Sequence, residues 1–211
     1  GSTGSDTVQL VGKTNEASMS GVETVIGSGG SDSITINTND IDSVTGGGGF
    51  DAVTLTGTSG NTVNLDGVET VMGSTGSDTV QLVGKTNEAS LSGVETVIGS
   101  GGSDSITINT NDIDSVMGGD GIDAVTLTDT SGNTVNLDGV ETVIGSDGSD
   151  SITINTNDIE TVTGGDGFDA VTLTDASGNT VDLTGVETVM GSDGADTLTV
   201  TDDTSAVLDG G

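Results

Sequence analysis

A glycine-rich turn that runs straight into an alternating strand recurs nine times along this chain. Its form is G-[GS]-x-G-x-D-x-φ-x-φ, with φ an aliphatic residue. It reads GSTGSDTVQL from Gly1, GSGGSDSITI from Gly27 and GGGGFDAVTL from Gly46, and it returns in the same three forms, slightly changed, from Gly73, Gly99 and Gly118. Three more copies follow: GSDGSDSITI from Gly145, GGDGFDAVTL from Gly164 and GSDGADTLTV from Gly191. Each sets one carboxylate just ahead of a period-2 apolar strand. A unit this short buries its apolar face only against copies of itself, so the repeats must stack. The expected fold is all-β, a parallel β-roll or β-solenoid of about nine coils with one turn per coil, the coils being 19, 26 or 27 residues long.

The spacings nest. A 72-residue superunit fills 1–72 and again 73–144, the copies differing at positions such as Met19 against Leu91 and Phe50 against Ile122. Residues 145–190 repeat it without the 26-residue unit, and a terminal coil occupies 191–211. The chain reads as one repeat domain, 1–211, excerpted from a longer array. In the shortest coil Ile34 and Ile36 face inward, Thr38-Asn39-Asp40 reverses the chain, and Ile41 and Val44 return to the core. The longer coils are expected to keep both parts and to insert residues between them. Ser59-Gly60-Asn61 in one insert is a turn signal, followed by an added strand through Val63 and Leu65.

Composition narrows the function classes. The formal net charge is -32, from 34 acidic residues against Lys13 and Lys85, and His, Cys, Pro, Trp and Tyr are absent. So acidic a surface is a poor partner for nucleic acid or for an anionic membrane. No disulfide framework is available, and no stretch reaches membrane-spanning length. Without His, Arg, Tyr or Cys, and with near-identical units that offer no unique pocket, an enzyme is not expected. High charge with few aromatics ordinarily marks disorder, whereas the periodic aliphatics mark a fold. The two reconcile if the chain is disordered without cations and folded with them.

The turns resemble the glycine-rich nonapeptides G-G-x-G-x-D-x-U-x of the repeats-in-toxin (RTX) calcium-binding family. The match holds at the first Gly, the fourth-position Gly and the Asp of all nine turns, while the second Gly is Ser in six of them. With one nonapeptide per coil, the chain looks most like the single-row calcium solenoids of large bacterial adhesins and surface proteins. The resemblance implies calcium between successive turns, about eight ions in one row. The implied carboxylate ligands are Asp6, Asp32, Asp51, Asp78, Asp104, Asp123, Asp150, Asp169 and Asp196. The implied backbone carbonyls are those of Gly1, Thr3, Gly27, Gly29, Gly46, Gly48, Gly73, Thr75, Gly99, Gly101, Gly118, Asp120, Gly145, Asp147, Gly164, Asp166, Gly191 and Asp193. Physical chemistry points the same way. Stacked coils bring like-charged carboxylates to about 5 Å from one another, which is unfavourable without counter-ions. Calcium also accepts six to eight oxygens in loose geometry.

A second acidic series comprises Glu23, Asp42, Glu69, Glu95, Asp114, Glu141, Glu160 and Glu187. These residues bond turn amides, complete a calcium shell or form a solvated face. Asp40, Asp66, Asp112, Asp138 and Asp158 are expected at the opposite corner as polar reversals. Phe50, Ile122 and Phe168 take the fifth turn position, where they are expected to cover the neighbouring insert. The leading functional expectation is a calcium-cemented structural segment of a secreted or cell-surface bacterial protein, folding once outside the cell: an adhesin extender, surface-layer or matrix component. The alternatives are a carboxy-terminal calcium module of an exported enzyme and, more remotely, an ice-binding solenoid. Open head-to-tail association into filaments is expected of the repeat ends.

Overall fold

The computed structural model describes residues 3–201 and 206–210, and among them every regular element is a strand. The strands alternate in chain order between two parallel sheets, one of 12 strands and one of 11. Each coil is therefore one strand from either sheet, and the chain is a parallel β-solenoid. Two strands per coil give eleven coils and a further strand, more than the nine that the turns suggest. The difference has a simple origin. A 19-residue unit holds two strands, Asp32–Ile36 and Ser43–Thr45, whereas a 26-residue unit holds three, Thr7–Gln9, Asn15–Met19 and Thr24–Ile26. The 27-residue unit also holds three, Ala52–Leu55, Thr62–Asp66 and Thr70–Met72. The inserts are not bulges on one coil; each adds a strand and half a coil.

The interior is a column of aliphatic residues in register. Ile34 sits beside Val53 and Val53 beside Val71 in one sheet, and Val25 beside Val44 and Val44 beside Leu65 in the other. All six are almost fully buried, as period-2 patterning requires of strands whose inner faces oppose each other. Ile41 and Val44 return to the core as expected. Leu198 and Val200 continue the column, but Leu208 is half exposed. At strand spacing the 12 stacked strands extend about 53 Å.

Besides the insert corners at 10–14, 56–61, 83–87, 128–133 and 174–179, three kinds of corner join the sheets. The first is the glycine-rich turn. The second is the polar reversal Asn-Thr-Asn-Asp at 37–40, 109–112 and 155–158, which is followed by a buried Ile41, Ile113 or Ile159. The third is a tight corner, Gly-Val-Glu, at 21–23, 67–69, 93–95, 139–141 and 185–187. Its glycines, Gly21, Gly67, Gly93, Gly139 and Gly185, have φ between 58° and 61°. That is the left-handed region, where a side chain is strained and glycine is at ease. The following Val is buried and the Glu bends back towards the rim. Asp66 and Asp138 end the strands leading into two of these corners, so they do not join Asp40, Asp112 and Asp158 at polar reversals.

Candidate functional site

Parity decides where the turns lie. An odd number of strands between two turns sends the second to the opposite rim. The turns at Gly27, Gly46, Gly99, Gly118 and Gly191 carry the chain from the 12-stranded to the 11-stranded sheet, while those at Gly73, Gly145 and Gly164 carry it back. Thr3–Asp6 leads into the 12-stranded sheet and belongs with the second group; Gly1 lies outside the described residues. The single row of nine turns expected from sequence is thus two rows on opposite rims. Among the described residues, glycine-rich turns are direct neighbours in three places: Gly27 with Gly46, Gly99 with Gly118, and Gly145 with Gly164.

In those pairs the carboxylates form a hydrogen-bonded ladder running along the solenoid. Asp32, Asp104 and Asp150 each donate their amide N–H to Oδ1 of the next turn's Asp51, Asp123 or Asp169, at 2.7 Å. The ladder is closed at one end by the tight corners. Glu69, Glu141 and Glu187 accept the amides of Asp51, Asp123 and Asp169 at 2.6–2.7 Å. At the other end stands an asparagine. Asn15, Asn87 and Asn133 give both their backbone and side-chain N–H groups to Oδ1 of Asp32, Asp104 and Asp150. Shorter versions surround the isolated turns. Asn61 and Glu95 flank Asp78, Glu23 closes on Asp6, and Asn179 opens on Asp196. Eight turn aspartates, from Asp32 to Asp196, thus accept backbone N–H groups of the array.

The second acidic series divides. Glu23, Glu69, Glu95, Glu141 and Glu187 bond turn amides, whereas Asp42, Asp114 and Glu160 follow polar reversals and are exposed. Of the five asparagines only Asn61 was singled out from sequence, as part of a turn signal, yet a signal for all five existed. Asn15, Asn61, Asn87, Asn133 and Asn179 each stand 17 residues before a turn Asp, which is one coil.

Within each stacked pair the two turns differ. In the first, position two is Ser, whose N–H reaches Oδ2 of its own turn's Asp: Ser28 to Asp32 and Ser100 to Asp104 at 2.6 Å, Ser146 to Asp150 at 2.7 Å. The Ser hydroxyls also reach these carboxylates. Both carboxylate oxygens are then satisfied. In the second turn, position two is Gly47, Gly119 or Gly165, with φ of 107°, 111° and 113°. A Cβ on any of them would strike the carbonyl oxygen of the preceding Ser28, Ser100 or Ser146. The second turn has glycine because the first turn's backbone occupies the space a serine would need. The consequence is electrostatic. Oδ2 of Asp51, Asp123 and Asp169 is buried with no hydrogen-bond partner. Beside Asp51 this oxygen and the Gly67 carbonyl crowd the place that a Cβ on Gly46 would take, and the same holds at Gly118 and Gly164.

The carboxyls respond to these surroundings. Burial pushes Asp51, Asp123 and Asp169 above the ordinary carboxylate value, more than the single amide bond each receives pulls it down. The neighbouring charges of Glu69 and Asp32, Glu141 and Asp104, and Glu187 and Asp150 add to the rise. Burial also opposes ionisation of Asp32 and Asp196, but hydrogen bonds from Ser28 and Asn15, or from Asn179 and Ser192, outweigh it and hold both below the ordinary value.

Calcium fits this arrangement only in part. A buried, ionisable carboxylate oxygen with no donor calls for a cation or a proton. That condition holds at three positions, in the second turn of each stacked pair, and not in eight successive gaps. Among the described residues no group of three or more carboxylates is disposed to hold a metal by itself. An ion beside Asp51 would therefore take most of its oxygens from backbone carbonyls and water.

The fifth-position residues depart from expectation. Phe50, Ile122 and Phe168 are 61 %, 69 % and 61 % exposed and so are not buried over the inserts, although Phe50 borders a cleft that Asn15 and Glu16 of one insert also line. Their backbone is pinned, each N–H donating to the Ser31, Ser103 or Ser149 hydroxyl of the preceding coil at 3.0–3.1 Å. The tight corners, shorter than their neighbours, leave clefts in the rims. One of 640 Å³ near Glu141 is lined also by Asp120, Asp158 and Glu160, and one of 540 Å³ near Glu95 by Asp112 and Asp114.

Comparison of the chain with protein-family models, with curated proteins and with solved structures gave no match.

Proposed function

We propose that the chain is a calcium-stabilised structural segment, a stiff acidic rod that spaces other parts of a secreted or cell-surface bacterial protein. The observation that carries this reading is the trio of buried, unpartnered carboxylate oxygens on Asp51, Asp123 and Asp169, in a chain of net charge -32. A rod that only had to hold its shape would be expected to fill such positions with neutral or apolar groups, because a buried unpaired charge opposes folding. Placing them where each stacked pair ends makes folding wait for a cation. Calcium suits the position better than magnesium, since it tolerates a loose mixture of one carboxylate, carbonyls and water.

The stabilisation from calcium would equal the free energy with which the folded chain binds it. Outside a cell, where calcium is millimolar, the array would be folded; in a low-calcium cytosol it would be loosened for export. Circular dichroism and thermal melting in millimolar calcium, in magnesium and in a chelator test this. Calcium should raise the β signal or the melting temperature by clearly more than magnesium at the same ionic strength. Identical melting in all three would contradict the reading.

A further inference from the structure

The chain has two aromatic residues in all, Phe50 and Phe168, and holds both in solvent. An exposed, backbone-pinned Phe adds little to stability, and large exposed apolar side chains among polar neighbours mark contact surfaces. The surroundings of Phe50 state what kind of contact. It lines a 310 Å³ cleft with Glu69, Glu88, Ser90, Ser105 and Thr107, near the lower limit of small-ligand sites. Glu69 lines it, with Oε2 accepting the Asp51 amide N–H, and Glu88 is exposed. On its other side Phe50 borders a second cleft, of 440 Å³, that includes Glu16. Glu16 and Glu88 lie on strands two removed, in opposite directions, from Ala52–Leu55, the strand that Phe50 leads into. Each is thus about 10 Å from it along the axis.

We propose that Phe50, with Glu69 and Glu88, is a docking site for an arginine side chain on an extended basic segment of a partner protein. The aromatic face attracts a cation, the two carboxylates pair with it, and the Ser90 and Thr107 hydroxyls accept further N–H groups. Guanidinium suits this better than ammonium because it is planar, weakly hydrated and carries five donors. A segment laid along the axis would cross Phe50 and carry further basic residues to Glu16. The site is independent of the calcium reading, since none of these contacts requires a metal.

The second superunit supplies the control: Ile122 stands where Phe50 does, so Phe50→Ile is compatible with the fold. A fluorescein-labelled hexa-arginine peptide would be titrated by anisotropy at about 0.15 M salt, where long-range charge effects are screened. The protein would be kept in whichever of calcium or chelator leaves its β signal complete. Phe50→Ile should weaken binding about fivefold or more, and Glu88→Gln about threefold. Phe168→Ile should change it less than about twofold, and hexa-lysine should bind more weakly than hexa-arginine. Should Phe50→Ile fail to fold, Glu88→Gln and the peptide comparison carry the test. Equal binding by wild type, Phe50→Ile and Glu88→Gln, or no binding by the wild type, would overturn the proposal and leave only diffuse attraction to an acidic rod.

Discussion

Asp32 and Asp51 occupy the same place in adjacent turns, 19 residues apart, yet they face opposite electrostatic circumstances. Asp32 receives N–H groups from Ser28 and Asn15 and a hydroxyl from Ser28, and it is held ionised. Asp51 receives one amide, stands beside two acidic neighbours, and keeps one oxygen with no partner. The difference follows from how the two turn backbones pack. Ser28 fits in the first turn of the pair, and its carbonyl then excludes anything but glycine at position 47. A repeat motif can thus be identical in its acid and divergent in what that acid needs. One turn is satisfied by the protein, and the other awaits a proton or a cation.

The largest effect should come from removing the satisfied acid. Asp32→Ala leaves two amides and an Asn side chain without their acceptor, costing about 4 kcal/mol of local stability with or without calcium. Chemical denaturation in calcium and in chelator checks both arms; a loss in only one would break the contrast. Next comes the glycine that creates the difference. Gly47→Ala forces a side chain into φ of 107° and against the Ser28 carbonyl, and should cost about 2–3 kcal/mol. Gly29→Ala, where a Cβ would meet nothing within 4 Å, should change stability by less than about 0.5 kcal/mol. Similar losses in the two melting curves would show that the pair is not stacked as described.

Much of this was legible before the fold was known, and the limits have physical causes. The strands and core positions follow from alternation, as at Ile34, Ile36 and Val44. The number of coils was not legible. A tight corner such as Asp66-Gly67-Val68-Glu69 has one left-handed glycine and no cluster of turn residues, so it reads as continuous strand. Missing it leaves the added strand through Val63 and Leu65 within one coil, whereas that strand carries the chain across to the other sheet and so moves the next turn to the opposite rim. The division of the second acidic series has the same root. Glu69 follows a tight corner and reaches an amide, whereas Asp42 follows a wide polar reversal and meets water. The exposure of Phe50 had no sequence signal, because its position in the turn says nothing about which side of the rim it faces.

The smallest expected effect is on pH dependence in the metal-free chain. Asp51, Asp123 and Asp169 have folded values raised above 3.8. Their contribution is therefore fully present below 3.8 and is lost as pH rises through the folded values. Asp32 and Asp196 are lowered, so theirs is present above 3.8 and is lost as pH falls through the folded values. Melting in chelator should rise as neutral solutions are acidified towards the ordinary carboxylate range and fall again below it. Calcium should flatten the rise and leave the acid limb. A monotonic fall from neutral pH in chelator would contradict the assignment of Asp51, Asp123 and Asp169 as the unmet charges.

The most direct measurement is the calcium-induced shift in melting temperature of the triple variant Asp51→Asn, Asp123→Asn, Asp169→Asn. Asparagine retains the Oδ1 acceptor for the preceding amide, removes the charge, and offers an N–H to the adjacent carbonyl. The variant should melt at or above the wild type in chelator and gain little from calcium, whereas the wild type should gain substantially. A triple variant that keeps the full calcium shift would place the cations elsewhere and contradict the distinction between the two turns.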